Sequence, residues 1–410
     1  MQRKVSQMMK IWKRLFALTL ALCLGLVLPA RAEDGGFEEV FDPDPWESVP
    51  ALSSVEDVGN TVGAAVLVER ETGTCLYEHN AHDRLAPASV TKIMTMLLVC
   101  EALDSGALTE EKTVTCSAYA AGMGGSQIFL EEGEQMSVGE LLKSVAVASA
   151  NDAAVALAEE LAGSEGEFVK RMNARAAELG MGDTAFRNCT GLPGEGEHLT
   201  SAWDIALMSR ALLSHDRIRK YTTIWTDSVR GGEFGLSNTN KLVRFYEGCT
   251  GLKTGFTQEA MYCLSASAER EGTEYIAVIL HAPTSAERFE AAKLLLNWAF
   301  SSYTLVDVLP EEAIPPVAVS LGEAGYLQPV AAGTKLVLTK ETAAHLQKEL
   351  TVVREVEAPV AAGQVLGSLR VLDGSGRELA SLPVTAPEAV PRLGWGRLFL
   401  LCLRALACGK

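Results

Sequence analysis

The sequence predicts an α+β fold in which one antiparallel sheet, built from distant parts of the chain, is covered by helices and followed by a small all-β domain. Strand patterns occur on both sides of a long helical region, at residues 64–78 and again at residues 251–280. An amphipathic helical pattern follows at residues 285–300. From about Tyr303, apolar and polar residues alternate and prolines become frequent. Together these observations predict the class.

The first 32 residues have the pattern of a secretory signal peptide. A basic segment, MQRKVSQMMKIWKRLF, precedes an apolar segment, ALTLALCLGLVLPA, and small residues allow cleavage after Ala32. We therefore expect the chain to be exported. Because the leader contains six basic residues and no acid, its removal takes the formal charge from -16 to -22. We expect no nucleic acid to bind so acidic a protein.

The mature chain divides into four predicted parts. Residues 33–55 are acidic and contain prolines, which predicts a loose linker. Residues 56–302 form the first domain, with two strands around a turn at residues 71–74, a helical stretch from Ser89 to about Gly180, and the later strands. Residues 303–390 form the small β domain, and residues 391–410 form a tail.

Cysteine and histidine patterns give no indication of a metal site or a cofactor. The nine cysteines lack CxxC or zinc-ligand spacing, and the six histidines form no HExxH pattern. Cys100 and Cys263 lie in apolar runs, as small buried hydrophobic residues do. We expect no disulfide framework, no metal and no cofactor.

A serine and a lysine begin the apolar run APASVTKIMTMLLVC at residues 86–100. Ser89 and Lys92 are one helical turn apart, so they share a face if Ser89 begins a helix. Burial and the positive end of the helix dipole would lower the pKa of Lys92 and favour a neutral amine. Such an amine can take the proton of a serine hydroxyl and so activate the serine as a nucleophile. The structural alternative is that Ser89 caps the helix and that Lys92 extends to water.

Two further short motifs each have a chemical and a structural explanation. Ser149 and Asn151 lie between two apolar helical runs in SVAVASANDAAVALAEE. A helix cap would explain them equally well, since Ser149 to Asp152 fits the S-x-x-D pattern. The K-T-G at residues 253–255 lies on a predicted strand, GLKTGFT, and a lone motif of this kind is compatible with an exposed lysine before a turn. The glycine, however, would let a backbone or a substrate approach closely, as the wall of a cleft requires.

In the order S-x-x-K, S-x-N and K-T-G, the three motifs resemble those of the serine penicillin-recognising enzymes. The chain is most similar to the low-molecular-weight penicillin-binding proteins that are D-alanyl-D-alanine carboxypeptidases, and the resemblance covers about residues 55–390. It includes the segments GGSQIFLEEGE, NCTGLP, HLTSAWDIALMSR and NTNKL. One departure is the CTG at residues 249–251, where an acidic residue is common in the family. The resemblance implies the serine β-lactamase-like fold, with residues 56–302 as the catalytic domain.

The resemblance also implies the roles of the catalytic residues. Ser89 would attack the carbonyl between two D-alanines, with Lys92 as its base. Ser149 would pass a proton toward the departing amine, while Asn151 would hold Lys92 and the substrate amide. The expected substrate is a peptidoglycan pentapeptide, and the expected inhibitors are β-lactams, which imitate its terminal dipeptide.

A second group of residues would bind the substrate on the predicted strand. The resemblance implies that Lys253 and Thr254 bind the terminal carboxylate, beside Gly255. The backbone N–H groups of Ser89 and Phe256 would form the oxyanion hole. Water would then hydrolyse the acyl-enzyme.

Two alternatives have different sequence requirements. A class A β-lactamase would need a deacylating glutamate in a loop after the S-x-N motif, and AFRNCTGLPGEGEHLTS has no such element, although Glu195 and Glu197 are nearby. A catalytically idle envelope scaffold would not need the catalytic residues that are all present. No G-x-S-x-G pentapeptide of an esterase occurs. His198 and His215 are expected to be structural.

The tail is basic on an otherwise acidic protein. Its basic residues are Arg392, Arg397, Arg404 and Lys410. Its apolar residues include Trp395, Leu398, Phe399, Leu400, Leu401, Leu403 and Leu406. A helix of this composition can lie in the membrane interface, with its arginines near anionic headgroups. We expect an extracytoplasmic protein that is peripherally associated with the membrane, and the alternative is a helix packed on the β domain.

Overall fold

The computed structural model of the chain describes residues 52–309 and 313–408. The expected signal peptide at residues 1–32 and most of the expected linker, residues 33–51, lie outside the described residues.

Helices and strands alternate along the described chain. The helices are α1 (Val55–Thr61), α2 (Lys92–Asp104), α3 (Ala118–Ala121), α4 (Val138–Ala148), α5 (Asn151–Ala162), α6 (Glu165–Glu178), α7 (Ala202–Leu213), α8 (Arg219–Thr222), α9 (Leu242–Phe245), α10 (Ser285–Ser302), α11 (Lys340–Ala344) and α12 (Trp395–Cys408). The first nine strands are β1 (Ala64–Glu69), β2 (Cys75–His79), β3 (Thr113–Thr115), β4 (Gln135–Ser137), β5 (Thr226–Val229), β6 (Phe234–Ser237), β7 (Cys249–Thr257), β8 (Met261–Arg270) and β9 (Thr273–Ala282). The later strands are β10 (Tyr303–Asp307), β11 (Val317–Ser320), β12 (Tyr326–Leu327), β13 (Val330–Ala331), β14 (Lys335–Thr339), β15 (Gln347–Val352), β16 (Glu355–Glu357), β17 (Val365–Leu372) and β18 (Glu378–Thr385).

The central sheet joins the two predicted groups of strands. Its five strands are antiparallel in the order β2-β1-β9-β8-β7, so that Val66 of β1 pairs with Val278 of β9. The sequence prediction of one antiparallel sheet from distant parts of the chain is confirmed. Strand β7 lies at one edge, and the turn that carries Ser89 contacts it.

Both faces of this sheet are covered. All six residues of β1 are buried, and their side chains alternate between two apolar clusters. Val66 and Val68 pack toward α2, α5 and α7, whereas Ala65 and Leu67 pack toward α10. Helix α10 coincides with the predicted amphipathic helix, and Thr284 caps it by accepting a hydrogen bond from the backbone N–H of Glu287. The sheet is therefore the middle layer between two layers of helix.

Two short strand pairs interrupt the region that the sequence predicts as helical. Strands β3 and β4 pair through Val114 and Met136, and they close the loop at residues 116–134. Strands β5 and β6 form a hairpin that contacts α4. The strands of these pairs are three or four residues long, too short for a two-residue periodicity to stand out from the neighbouring helices.

A region of short strands follows α10, as predicted. It contains the pair β10-β14 and the sheets β12-β11-β16 and β13-β18-β17-β15. Its core is small, and its fully described members are Val317, Val319, Leu327, Ala358, Val360, Leu366, Ala386 and Val390. Lys335 of β14 pairs with Glu71 of the β1–β2 turn at 2.8 Å. Among the described residues, no helix is both long and apolar enough to cross a membrane.

Candidate active site

Ser89 lies in a 3-10 turn, Ala88–Thr91, that leads directly into α2. Ala88 has a φ of 47°, a conformation that is uncommon for a residue with a side chain. Two glycines enclose this turn. A Cβ at Gly191 would overlap the carbonyl oxygen of Ala88, and a Cβ at Gly255 would lie 3.0 Å from the backbone nitrogen of Ser89. The turn is thus held between a loop and strand β7, while Ser89 itself remains partly exposed.

Lys92 is fully buried at the first position of α2. Its Nζ is joined to Oγ of Ser89 by a hydrogen bond of 2.9 Å and donates to the carbonyl oxygen of Thr190 at 2.9 Å. Burial and the nearby charge of Lys253 hold the pKa of Lys92 well below its usual value, against the smaller effects of Cys189 and Asp152. The amine is therefore neutral more readily than an exposed lysine. Burial also rules out the alternative in which Lys92 extends to water.

Thr190 orients the amine of Lys92. A neutral amine has two N–H donors and one lone pair. Because one N–H is directed at the Thr190 carbonyl, the lone pair can face Ser89 Oγ and accept its proton. Thr190 is a site residue that the sequence reasoning missed, since it contributes only a backbone oxygen.

Ser149 and Asn151 occupy the sharp junction between α4 and α5. Ser149 follows the last residue of α4 in a left-handed conformation, φ 63° and ψ 25°, and is 3% exposed. The N-cap of α5 is Ala150, which makes no side-chain capping bond. Asp152 instead accepts hydrogen bonds from the backbone N–H groups of Ile128 and Leu130. The S-x-x-D capping alternative for Ser149 is therefore wrong.

The implied hydrogen bond between Asn151 and Lys92 is not formed. Nδ2 of Asn151 donates to the carbonyl oxygen of Gly124 at 2.7 Å, and its buried Oδ1 has no hydrogen-bond partner. The physical reason is competition, because Thr190 occupies Lys92 and Gly124 occupies the Asn151 amide group. Oδ1 of Asn151 remains able to accept an N–H from a bound peptide.

The K-T-G segment lies on edge strand β7, as the sequence predicts. Lys253 is 1% exposed and donates to the carbonyl oxygen of Thr254 at 3.0 Å. The hydroxyl of Thr254 donates to that of Thr239 at 2.7 Å. Phe256 stacks on Tyr262 of β8, with 4.4 Å between ring centroids. The exposed-lysine alternative for Lys253 does not hold, because its side chain is buried beside Lys92.

His198 supports the Ser89 turn from behind. Its Nε2 forms a hydrogen bond of 2.8 Å with the hydroxyl of Thr91, and its Nδ1 accepts the backbone N–H of Arg187 at 3.1 Å. Burial, with a contribution from the charge of Arg187, lowers the pKa of His198 to about 4. A neutral ring with a protonated Nε2 fits both hydrogen bonds. His215 lies elsewhere, against Asp104 and away from the motifs.

A cavity of about 260 Å³ opens beside the turn that carries Ser89. Its walls are the backbone before Ser89, the loop at residues 191–199, and Thr257 and Glu259 after strand β7. The six cysteines of the described residues are free thiols, and Cys100 and Cys263 are fully buried. The site thus combines a partly exposed hydroxyl, a buried amine and a second buried cation at the edge of a sheet, which suits transfer of an acyl group from a substrate with a negative charge.

The chain matches the family model described as D-alanyl-D-alanine carboxypeptidase over residues 53–284. It is 44% identical to the D-alanyl-D-alanine carboxypeptidase DacF of Bacillus subtilis, over 83% of this chain and 88% of that protein. It is 33% identical to DacC of Escherichia coli, over 91% of this chain and 94% of that protein.

Solved structures give the same similarity. Penicillin-binding protein 5 of Haemophilus influenzae superposes with a TM-score of 0.71 and 28% identity, over 81% of this chain and 98% of that chain. Penicillin-binding protein D2 of Listeria monocytogenes, in its ampicillin-bound form, gives a TM-score of 0.52 and 33% identity, over 61% of this chain and 100% of that chain.

Proposed function

The chain belongs to the D-alanyl-D-alanine carboxypeptidase family of serine peptidases, and we propose that Ser89 is the nucleophile with which it removes the terminal D-alanine from peptidoglycan stem peptides. The observation that carries this proposal is the 2.9 Å hydrogen bond between Ser89 Oγ and the fully buried Nζ of Lys92. A buried amine with a lowered pKa is a base that can accept the serine proton.

Acylation follows from this pair. Lys92 Nζ takes the proton of the Ser89 hydroxyl, and Oγ bonds to the carbonyl carbon between the two D-alanines. The backbone N–H groups of Ser89 and Phe256 stabilise the negative oxygen that develops. As the C–N bond breaks, the proton passes from Lys92 through Ser149 to the departing nitrogen, and free D-alanine leaves. Ser89 then carries the rest of the peptide as an ester.

Deacylation uses the same base with water as the nucleophile. Lys92 takes a proton from the water, whose oxygen bonds to the ester carbon. The bond to Ser89 Oγ breaks, and Lys92 returns the proton to that oxygen. The shortened peptide leaves with a new carboxylate, and the enzyme is restored.

Two buried groups supply substrate recognition. Lys253 and Thr254 bind the terminal carboxylate by a charge-assisted contact and a hydroxyl donor. Asn151 Oδ1, which has no partner in the structure, accepts an amide N–H of the peptide. Gly255 lets the peptide lie close to β7, because any Cβ there would crowd the Ser89 turn.

β-Lactams would acylate Ser89 in the same way as the peptide. The Listeria relative has been solved in ampicillin-bound and cefotaxime-bound forms. By extension we propose that ring opening leaves a penicilloyl ester on Ser89. No group in the loop at residues 191–199 favours a class A β-lactamase, because its two glutamates, Glu195 and Glu197, are both exposed.

Release of D-alanine from a peptide that ends in D-Ala-D-Ala tests the proposal. The Ser89→Ala variant should release none above background, since no other group can form the ester. Ser105→Ala is the matched control, because that exposed serine follows the far end of α2. The control should keep wild-type activity. Undiminished release by Ser89→Ala would contradict the assignment.

We also propose the predicted domain bounds, 56–302 for the catalytic domain and 303–390 for the β domain, together with a peripheral, extracytoplasmic membrane location through the tail. Helix α12 has exposed Trp395 and Phe399, 88% and 65% exposed. Arg397 and Arg404, seven residues apart, lie on the opposite side of a helix with this spacing. Such a helix suits the interface of an anionic membrane.

Co-sedimentation with liposomes tests the location. The mature chain should sediment with anionic vesicles at low salt, and a chain truncated before Pro391 should remain in the supernatant. Neutral vesicles serve as the control and should retain much less protein. Equal sedimentation of the full and truncated chains would refute the tail as the anchor.

A further inference from the structure

The segment around Thr190 has a defined support of its own. The side chain of Asn188 folds back over it, so that its Oδ1 accepts the backbone N–H groups of Thr190 at 3.2 Å and Gly191 at 2.7 Å. On the other side, the hydroxyl of Thr95 donates to the carbonyl oxygen of Cys189 at 2.6 Å. These bonds shape the segment, but neither ties it to the layer of helices beyond α2.

Glu165 makes that connection. It is the first residue of α6, after the N-cap Ser164, where the helix dipole favours a carboxylate. Its Oε1 accepts the backbone N–H of Cys189 at 2.9 Å. Its Oε2 accepts the phenol of Tyr119, on the short helix α3, at 2.6 Å. Both carboxylate oxygens are therefore engaged, and the side chain joins α3 and α6 to the segment that holds Lys92.

We propose that Glu165 is a positioning residue for the reaction: by fixing the Cys189 amide, it sets the Thr190 carbonyl that orients the Lys92 amine toward Ser89. The amide and the carbonyl are one residue apart and are linked by a planar peptide group, so a displacement of one moves the other. The inference rests on the proposed role of Lys92 as the base.

Glu165 acts through this hydrogen bond, not through its charge on Lys92. The groups that shift the pKa of Lys92, besides burial, are Lys253, Cys189 and Asp152. A glutamine at position 165 would keep an oxygen for the Cys189 N–H and an amide group that can donate to the Tyr119 oxygen. An alanine would leave the Cys189 N–H without its acceptor, and this asymmetry separates the positioning role from a role of the charge.

The test measures acylation of the full mature chain by a fluorescent penicillin, with the non-covalent dissociation constant and the maximal acylation rate determined separately. Glu165→Ala should lower the maximal rate at least tenfold, as the loss of a charge-assisted hydrogen bond predicts, and should leave the dissociation constant within about twofold. Glu165→Gln should restore the rate to within about threefold of wild type. Glu167→Ala is the matched control, because Glu167 lies on the same helix and pairs with exposed Lys170; it should acylate as wild type does.

The outcomes separate this inference from the proposed function. If wild type is acylated, Ser89→Ala is not, and Glu165→Ala acylates at the wild-type rate, the positioning role is wrong while the nucleophile stands. If Glu165→Gln is as slow as Glu165→Ala, the charge matters and the hydrogen-bond account is also wrong. Should Glu165→Ala fail to fold, Tyr119→Phe decides: removal of its hydroxyl should slow the maximal rate about threefold, and an unchanged rate overturns the inference.

Discussion

His198 makes the folded protein sensitive to mild acid. Its ring packs edge-on against Phe186, at 5.7 Å between centroids, and both of its nitrogens are hydrogen-bonded. Protonation would put a charge in this enclosed site and would remove the acceptor for the Arg187 N–H. The histidine therefore stays neutral in the folded state down to a pKa of about 4, below the usual 6.5.

The sign and size of the effect follow from this difference. Above pH 6.5 both states are neutral at His198, and the full stability is present. Between pH 6.5 and 4 the unfolded state binds a proton that the folded state does not, so stability falls as the pH falls. Each pKa unit is worth about 1.4 kcal/mol, which gives a loss of about 2 kcal/mol by pH 5 and about 3 kcal/mol by pH 4.

Urea denaturation at pH 7.5 and pH 5.0 measures the loss. Wild type should lose about 2 kcal/mol more free energy of unfolding between the two pH values than His198→Asn does, whatever the stability of the variant at pH 7.5. His345→Asn removes an exposed histidine of the β region and should behave like wild type. Equal losses for wild type and His198→Asn would refute the account of this ring.

Three substitutions near the site have separate expected outcomes. Gly191→Ala places a Cβ against the carbonyl of Ala88 at a φ of 81°, so it should lower the free energy of unfolding by about 2 kcal/mol or more in a denaturant titration; unchanged stability would contradict that packing. Gly255→Ala should slow penicillin acylation while circular dichroism stays unchanged, because the added methyl would lie 3.0 Å from the Ser89 nitrogen; wild-type acylation would show that the strand can yield. Lys253→Ala should reduce kcat/KM at least tenfold on peptides that end in free D-alanine, and much less on the amidated analogue. Equal reductions would assign Lys253 to structure.

The sequence was sufficient for the parts of the site that are made by side chains at fixed spacing. Ser89 and Lys92 meet because three residues span one turn, and K-T-G lies on a strand because its neighbours alternate. The central sheet was predictable for the same reason, since β1 and β8 have clear strand patterns. These features depend on local geometry, which residue order specifies directly.

Other parts depend on contacts between distant segments. Thr190 holds Lys92 through a backbone oxygen, across 98 positions of the chain, and a backbone atom leaves no trace in residue type. Asn151 was expected to bind Lys92, but its choice of Gly124 depends on how the loop at residues 116–134 folds over α5. The left-handed conformation of Ser149 likewise follows from the packing of α4 against α5, because no glycine marks it.

Intact-mass analysis after incubation with benzylpenicillin, followed by peptide mapping, tests the central claim most directly. The account predicts one adduct per mature chain, with the mass of the intact β-lactam, on the peptide that contains Ser89 and on no other peptide. The Ser89→Ala variant, with an unchanged circular dichroism spectrum, should gain no mass. An adduct on a different residue, or an adduct of equal yield on Ser89→Ala, would contradict the account.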